Sequence, residues 1–193
     1  LHEIISRTAK EMFIPLTVGG GLRTLEDILA VLRAGADKVS INTAAHENPE
    51  LITQASRMFG KSTIAVAIEA IRQPDGTYKA FTDNGRNRTG REAVSWAKEV
   101  EELGAGEILL TSVDREGTGM GPDMDLIWQV HANTNIPLVV HGGIGSSKHA
   151  LSVIKNLPVS GIALASMLHY HYLKTNRNVD GFEDEGNIEF LKS

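Results

Sequence analysis

Short apolar runs alternate along this chain with longer stretches in which apolar positions recur every three or four residues. The runs are 14–18 (IPLTV), 37–42 (DKVSIN), 63–69 (TIAVAIE), 107–113 (EILLTSV), 136–141 (IPLVVH) and 160–166 (SGIALAS). They are rich in Val, Ile and Leu and show little polar alternation, as strands buried on both faces of a parallel sheet do. The stretches between them carry helix punctuation. Thr24 precedes LEDILAVLRAGA as an N-cap, with Asp27 three residues on. Asn48 caps PELITQASRMFG, with Pro49 at the first helical position and Gly60 past the end. Thr89 or Gly90 opens REAVSWAKEVEELGAG, Pro122 or Asp123 opens DMDLIWQVHANT, and Ser146 and Ser147 open KHALSVIKNL. Upstream, Leu1, Ile4, Ile5, Thr8, Ala9 and Met12 share one helical face. That helix is already under way at the first residue, with no initiating Met, so the chain reads as a fragment.

Strand–helix alternation predicts an α/β fold with a parallel sheet, here as a single domain over 1–193. One insertion breaks the rhythm. Residues 72–90 hold a Pro-Asp-Gly turn between polar and aromatic runs and read as a hairpin after the strand that carries Glu69. The tail is polar until a short helix near 187–192.

An internal repeat narrows the architecture. IPLTVGGGLRT (14–24) matches IPLVVHGGIGS (136–146), so Gly20 and Gly21 correspond to Gly142 and Gly143, and Thr24 to Ser146. The next strands both end in a small hydroxyl residue, Thr43 and Ser166. Two equivalent βαβ units separated by two further strands suggest a pseudo-twofold (βα)₈ barrel, of which six βα units lie in this chain.

Composition changes this picture little. A chain of 193 residues with 41% hydrophobic content can bury one core. Net charge −5 and the lack of a basic run argue against nucleic acid as a partner. No apolar stretch approaches ~18 residues, so no membrane span is expected. There is no cysteine, hence no disulfide and no thiolate metal site, which fits a reducing cytoplasm.

Barrel chemistry belongs at the C-terminal ends of the strands. Gathered there are Gly20 and Gly21, Asn42 and Thr43, Glu69, Thr111, Asp114, Glu116 and Gly117, His141, Gly142 and Gly143, and Ser166 and His169. A Gly-Gly turn before a helix lets backbone N–H groups approach a phosphate, although glycines also simply make tight turns. The same cup twice, half a barrel apart, suits a long substrate with a phosphate at each end. Glu69 is either an acid–base group at the mouth of the barrel or a strand-end charge paired with a loop Arg such as Arg72. His169 and His171 stand two residues apart, a poor spacing for shared metal ligation, and neither a metal nor a cofactor is expected. Asp37, Lys38 and Glu107 open their strands at the opposite end, where charges are usually solvated or paired.

Together these motifs resemble the cyclase subunit of imidazole glycerol phosphate synthase, a histidine-biosynthesis (βα)₈ barrel. The likeness runs over nearly the whole chain through IPLTVGGGLRT, AGADKVSINTAA, NPELIT, VAIEAIR, ELGAGEILLTSVDREGTG, IPLVVHGGIGS and ALASMLHY. It implies that a glutaminase subunit docks on the N-terminal face of the barrel. Ammonia then crosses the core to a bisphosphorylated ribulosylaminoimidazole carboxamide ribotide, which is cleaved as an imidazole ring closes. It also implies one phosphate site at Gly21, Asn42 and Thr43, and another at Gly117, Gly143, Ala165 and Ser166. Lys38 and Glu107 would belong to a charged gate for ammonia, and Asp37 would face the glutaminase. Two departures stand out. The family's catalytic pair is two aspartates, of which the first-strand one falls outside this chain and the second is Glu69 here. The extra methylene moves the carboxylate by roughly 1.5 Å. His141 stands where the family commonly has a smaller residue. Two other readings stay open: a paralogue that passes ammonia to a sugar amidotransferase in surface-polysaccharide synthesis, and a phosphate-binding fragment without turnover that self-associates through its open sheet edges.

Overall fold

The computed structural model describes residues 2–175. Leu1 and the helix expected near 187–192 lie outside the described residues. Helix α1 (His2–Glu11) leads into β1 (Thr17–Gly19), α2 (Leu25–Arg33), β2 (Lys38–Ile41), α3 (Thr43–Glu47) and α4 (Glu50–Phe59). Then come β3 (Ile64–Arg72), β4 (Tyr78–Thr82), β5 (Asn87–Glu92), α5 (Ala93–Leu103) and β6 (Glu107–Ser112). The described chain closes with α6 (Met124–His131), β7 (Leu138–His141), α7 (Ser147–Asn156), β8 (Gly161–Ile162) and α8 (Ser166–Thr175).

Six strands form one parallel array in the order β1-β2-β3-β6-β7-β8, an α/β half-barrel. Side chains alternate across it. Val39, Ile41, Ile64, Val66, Ile68, Ile108, Leu110, Leu138 and Val140 are buried beneath the helices, against Ile28, Val31, Ile52, Trp96, Val100, Leu126, Val130 and Val153. Each large side chain so buried contributes about 1.5–3 kcal/mol. The opposite face lines the lumen, and its middle positions are mostly small: Ser40, Ala65 and Ala67, beside Leu109. The near-continuous apolar runs thus conceal a two-sided strand, with large residues toward the helices and small ones toward the lumen.

Several boundaries differ from expectation. Strand β3 does not stop at Glu69 but continues to Arg72. β6 occupies one of its edges over Ala65–Ala70. The other edge is shared, first by β2 at Ile64–Val66 and then by β4, antiparallel, at Glu69–Arg72. Residues 87–92, from which Thr89 and Gly90 were expected to open a helix, are strand β5, paired with β4. Glu92 caps α5 instead, accepting hydrogen bonds from Val94 N and Ser95 N. Asn48 is the C-cap of α3, a short helix that the pattern did not announce, and α4 begins at Glu50. β1 and β8 are shorter than the runs that contain them. On α1 Ile5 is buried, whereas Ile4 on the same stripe is 67% exposed. Thr24, Asp123 and Ser146 cap their helices as read.

Candidate functional site

The C-terminal ends of the strands carry two cavities. The first, of about 550 Å³, is lined by Gly19, Gly20 and Gly21, Ser40, Asn42, Thr43, Ala67, Glu69 and the hairpin tip, Asp83 and Asn84. Gly20 and Gly21 have φ of +97° and +73°, and a Cβ built on either would meet nothing within 4 Å. Glycine is required there by backbone conformation, and the space in front of it stays open for a ligand. A capping box fixes the start of α2: Asp27 N donates to Thr24 Oγ1 at 3.1 Å, and Thr24 N donates back to Asp27 Oδ2 at 3.0 Å. The Arg23 and Thr24 N–H groups hold the Asp27 carboxyl below its usual range.

Glu69 faces this cavity with both carboxylate oxygens engaged. Asn42 Nδ2 donates to Oε1 at 3.0 Å, and Gly85 N at the hairpin tip donates to Oε2 at 2.8 Å. Arg72 is not its partner. That guanidinium lies 3.7 Å from Asp125 and 5.8 Å from the centre of the Tyr78 ring, while Arg72 N donates to Asp114 Oδ2. The hairpin reaches Glu69 because β4 takes over the edge of β3 that β2 leaves, so its far end folds over the lumen. Asp83 and Asn84 turn the chain there with φ of +56° and +55°. The sequence reading passed over these two residues as site lining, although Asp-Asn-Gly is a hairpin-turn signal in its own right.

The second cavity, of about 300 Å³, is lined by Glu116, Gly117, His141, Gly142, Gly143, Ala165, Ser166 and the first turns of α8. Its glycines also have positive φ, +101° at Gly142 and +82° at Gly143, and a second reason is added to that one. A Cβ on Gly142 would lie 2.5 Å from Ser112 O, and one on Gly143 would lie 2.2 Å from Gly121 O. The loop after β6 packs directly on the loop after β7, and Gly121 N donates to Gly143 O at 2.7 Å. The two halves of the sequence repeat thus meet different neighbours. Between the cavities Thr111 pairs with Glu69 on one side and His141 on the other, so the three form one lateral row across β3, β6 and β7.

At the opposite end of the strands Lys38 Nζ and Glu107 Oε2 form an ion pair of 2.7 Å across the lumen side of β2 and β6. Asp37 is engaged locally, its Oδ2 accepting from Leu16 N at 2.8 Å. Among the described residues no group of three or more His, Cys, Asp or Glu is placed to hold a metal ion, and no helix is long and apolar enough to cross a membrane.

A family described as histidine biosynthesis protein matches residues 1–174. The HisF subunit of imidazole glycerol phosphate synthase from Alkaliphilus metalliredigens is 42% identical over 92% of this chain and 70% of its own length. The chain belongs to the HisF family. HisF from Trichormus variabilis is 47% identical over 89% of this chain and 68% of the relative, and HisF from Sulfurisphaera tokodaii is 49% identical over 86% and 65%. The chain therefore spans about two thirds of the HisF proteins it matches. The resemblance seen in the motifs holds at the level of the whole alignment.

Proposed function

We propose that this chain supplies six βα units of the cyclase barrel of a glutamine-dependent imidazole glycerol phosphate synthase. The observation that carries this is the pair of cavities flanking the row Glu69–Thr111–His141 at one end of the half-barrel. In this reading Gly20, Gly21, Asn42 and Thr43 hold one phosphate of the ribotide substrate. Gly117, Gly142, Gly143, Ala165 and Ser166 hold the other, and Thr111 lies under the middle of the molecule. Glu69 is the acid–base group. Its two hydrogen bonds aim the carboxylate and leave each oxygen a second lone pair for a substrate proton.

Ammonia enters from the end where Lys38 and Glu107 pair, next to the docked glutaminase subunit, with Asp37 at that interface. The small side chains of Ser40, Ala65 and Ala67 support a passage along the β2–β3 side of the lumen wall, opposite the bulkier Leu109. The test is direct. The complete gene product is supplied with ammonium and the bisphosphorylated ribotide, and imidazole glycerol phosphate is measured by chromatography. Absence of that product at saturating ammonium refutes the reading, and amination of a sugar acceptor instead would favour the polysaccharide paralogue.

A further inference from the structure

We propose that His149 is the positioning residue of the second glycine cup: it holds Gly145, and through it the turn at Gly142 and Gly143, in the shape that takes a phosphate. The proposal deepens the cyclase reading and rests on it. The internal repeat carries the first observation. The offset that matches Thr24 to Ser146 also matches Asp27 to His149 and Arg23 to Gly145. Asp27 is the third residue of α2 and His149 the third of α7. Each gives its backbone N–H to the N-cap hydroxyl, Asp27 N to Thr24 Oγ1 at 3.1 Å and His149 N to Ser146 Oγ at 3.3 Å. Each side chain then reaches back to the residue before the cap. Asp27 Oδ2 accepts from Arg23 N at 2.9 Å, and His149 Nδ1 accepts from Gly145 N at 3.3 Å. Two side chains of different chemistry thus make the same bond, just behind the glycine turn of each cup.

The second observation is what the imidazole adds. Asp27 reaches only its own turn, whereas the His149 ring extends to the loop after β6. A Cβ built on Gly121 would lie 3.8 Å from Cδ2, Cε1 and Nε2 of that ring. Gly121 N is the donor to Gly143 O at 2.7 Å, and a Cβ on Gly145 would fall 2.7 Å from Gly119 O. His149 therefore grips the loop after β7 at Gly145 and stands against the same stretch, 119–121, that pins Gly143.

The wall of this cavity is built from Gly117, Gly119, Gly142, Gly143 and Gly145, and His149 is not part of the lining. Glycine backbone has the widest conformational freedom of any residue, so a wall of this kind needs an outside contact to fix where its N–H groups point. A cup already fixed binds an anion without the cost of ordering the loops. The accepting Nδ1 carries no proton and puts no negative charge behind the second anion, whereas Asp27 puts a carboxylate behind the first.

The experiment compares the complete gene product as wild type, His149→Ala, His149→Asn and His149→Phe. Inorganic phosphate is titrated while the backbone amide signals of Gly21 and Gly143 are followed by NMR, which reads each cup separately. His149→Ala should weaken phosphate at Gly143 roughly 3- to 10-fold and leave the response of Gly21 unchanged. KM for the ribotide should rise by a similar factor and kcat change less, because the residue sets binding and touches no reacting atom. His149→Asn keeps an acceptor near the Nδ1 position and should restore most of the affinity. His149→Phe keeps a ring against Gly121 and should not. Unchanged affinity at Gly143 in His149→Ala, equal weakening at both cups, or rescue by Phe rather than Asn would each overturn the proposal. Should His149→Ala not fold, the order of Asn and Phe decides alone. If Gly143 of the wild type does not respond to phosphate, the second cup of the cyclase reading fails and the proposal falls with it; if it responds and the variants match wild type, the proposal alone fails.

Discussion

Gly21 and Gly143 occupy the same position of the internal repeat, and alanine at the two should have unequal consequences. Both have positive φ, +73° and +82°. Alanine in that region costs roughly 1–2 kcal/mol at either site. At Gly21 nothing lies within 4 Å of the added Cβ, so the backbone term is the whole cost. At Gly143 the Cβ falls 2.2 Å from Gly121 O, 2.8 Å from Gly121 C and 2.9 Å from the Arg115 Cβ. Two of these neighbours are backbone, so the loop after β6 must move by more than 1 Å, judged against a normal contact of about 3.5 Å. Overpacking of this kind costs about 1–3 kcal/mol. Loss of the Gly121 N to Gly143 O hydrogen bond adds about 0.5–1.5 kcal/mol. Gly143→Ala should therefore lose ~3–6 kcal/mol and Gly21→Ala ~1–2 kcal/mol. Urea unfolding followed by circular dichroism reads the difference as a shift in midpoint at constant slope. Equal losses in the two variants would refute the packing argument. Inorganic phosphate binding separates the sites in the other direction, because the Gly21→Ala methyl projects into the open cavity and should weaken binding there at little cost in stability.

Three further outcomes are expected. Glu69→Gln should lower cyclase turnover by ~10²-fold or more while leaving phosphate affinity near that of wild type, and steady-state kinetics with phosphate titration checks both. His46 is stacked on Trp96 at 4.5 Å with both ring nitrogens buried and unpaired, and desolvation, with the nearby Arg91, lowers its pKa to about 4. The unfolded chain then binds the extra proton between pH 6.5 and about 4, so stability is complete above pH 6.5 and falls by up to ~3 kcal/mol as pH drops through that window; urea midpoints against pH should show the slope in wild type and lack its His46 part in His46→Phe. Tyr78→Phe removes the O–H that donates to the buried Asp123 carboxylate at 3.0 Å, and the loss of ~1.5–3 kcal/mol should appear in the same unfolding assay.

The helix caps at Thr24, Asp123 and Ser146 were legible because a cap is a local event, one side chain reaching the N–H three residues on. The end of β3 was not. The edge that β4 takes up depends on where β2 stops, and β2 is more than twenty residues away in sequence. The same long-range pairing brought Asp83, Asn84 and Gly85 to Glu69 and carried Thr89 and Gly90 into a strand. Asn42 was read as a phosphate-site residue, yet its amide also aims Glu69, a contact across 27 positions of sequence that no spacing rule reports.

By itself the sequence determined the alternation of strands and helices, the parallel sheet, the repeat and the family, because those follow from local periodicity and from motif identity. It also placed Glu69, Thr111 and His141 near strand ends. Only the tertiary structure decided that these three form one row, since register is a relation between strands. Tertiary packing likewise separated the two glycine cups that the repeat made equivalent. At Gly20 and Gly21 open space stands where a side chain would go, and at Gly142 and Gly143 another loop already fills it. A repeat conserves the backbone turn, but what lies against that turn comes from elsewhere in the chain.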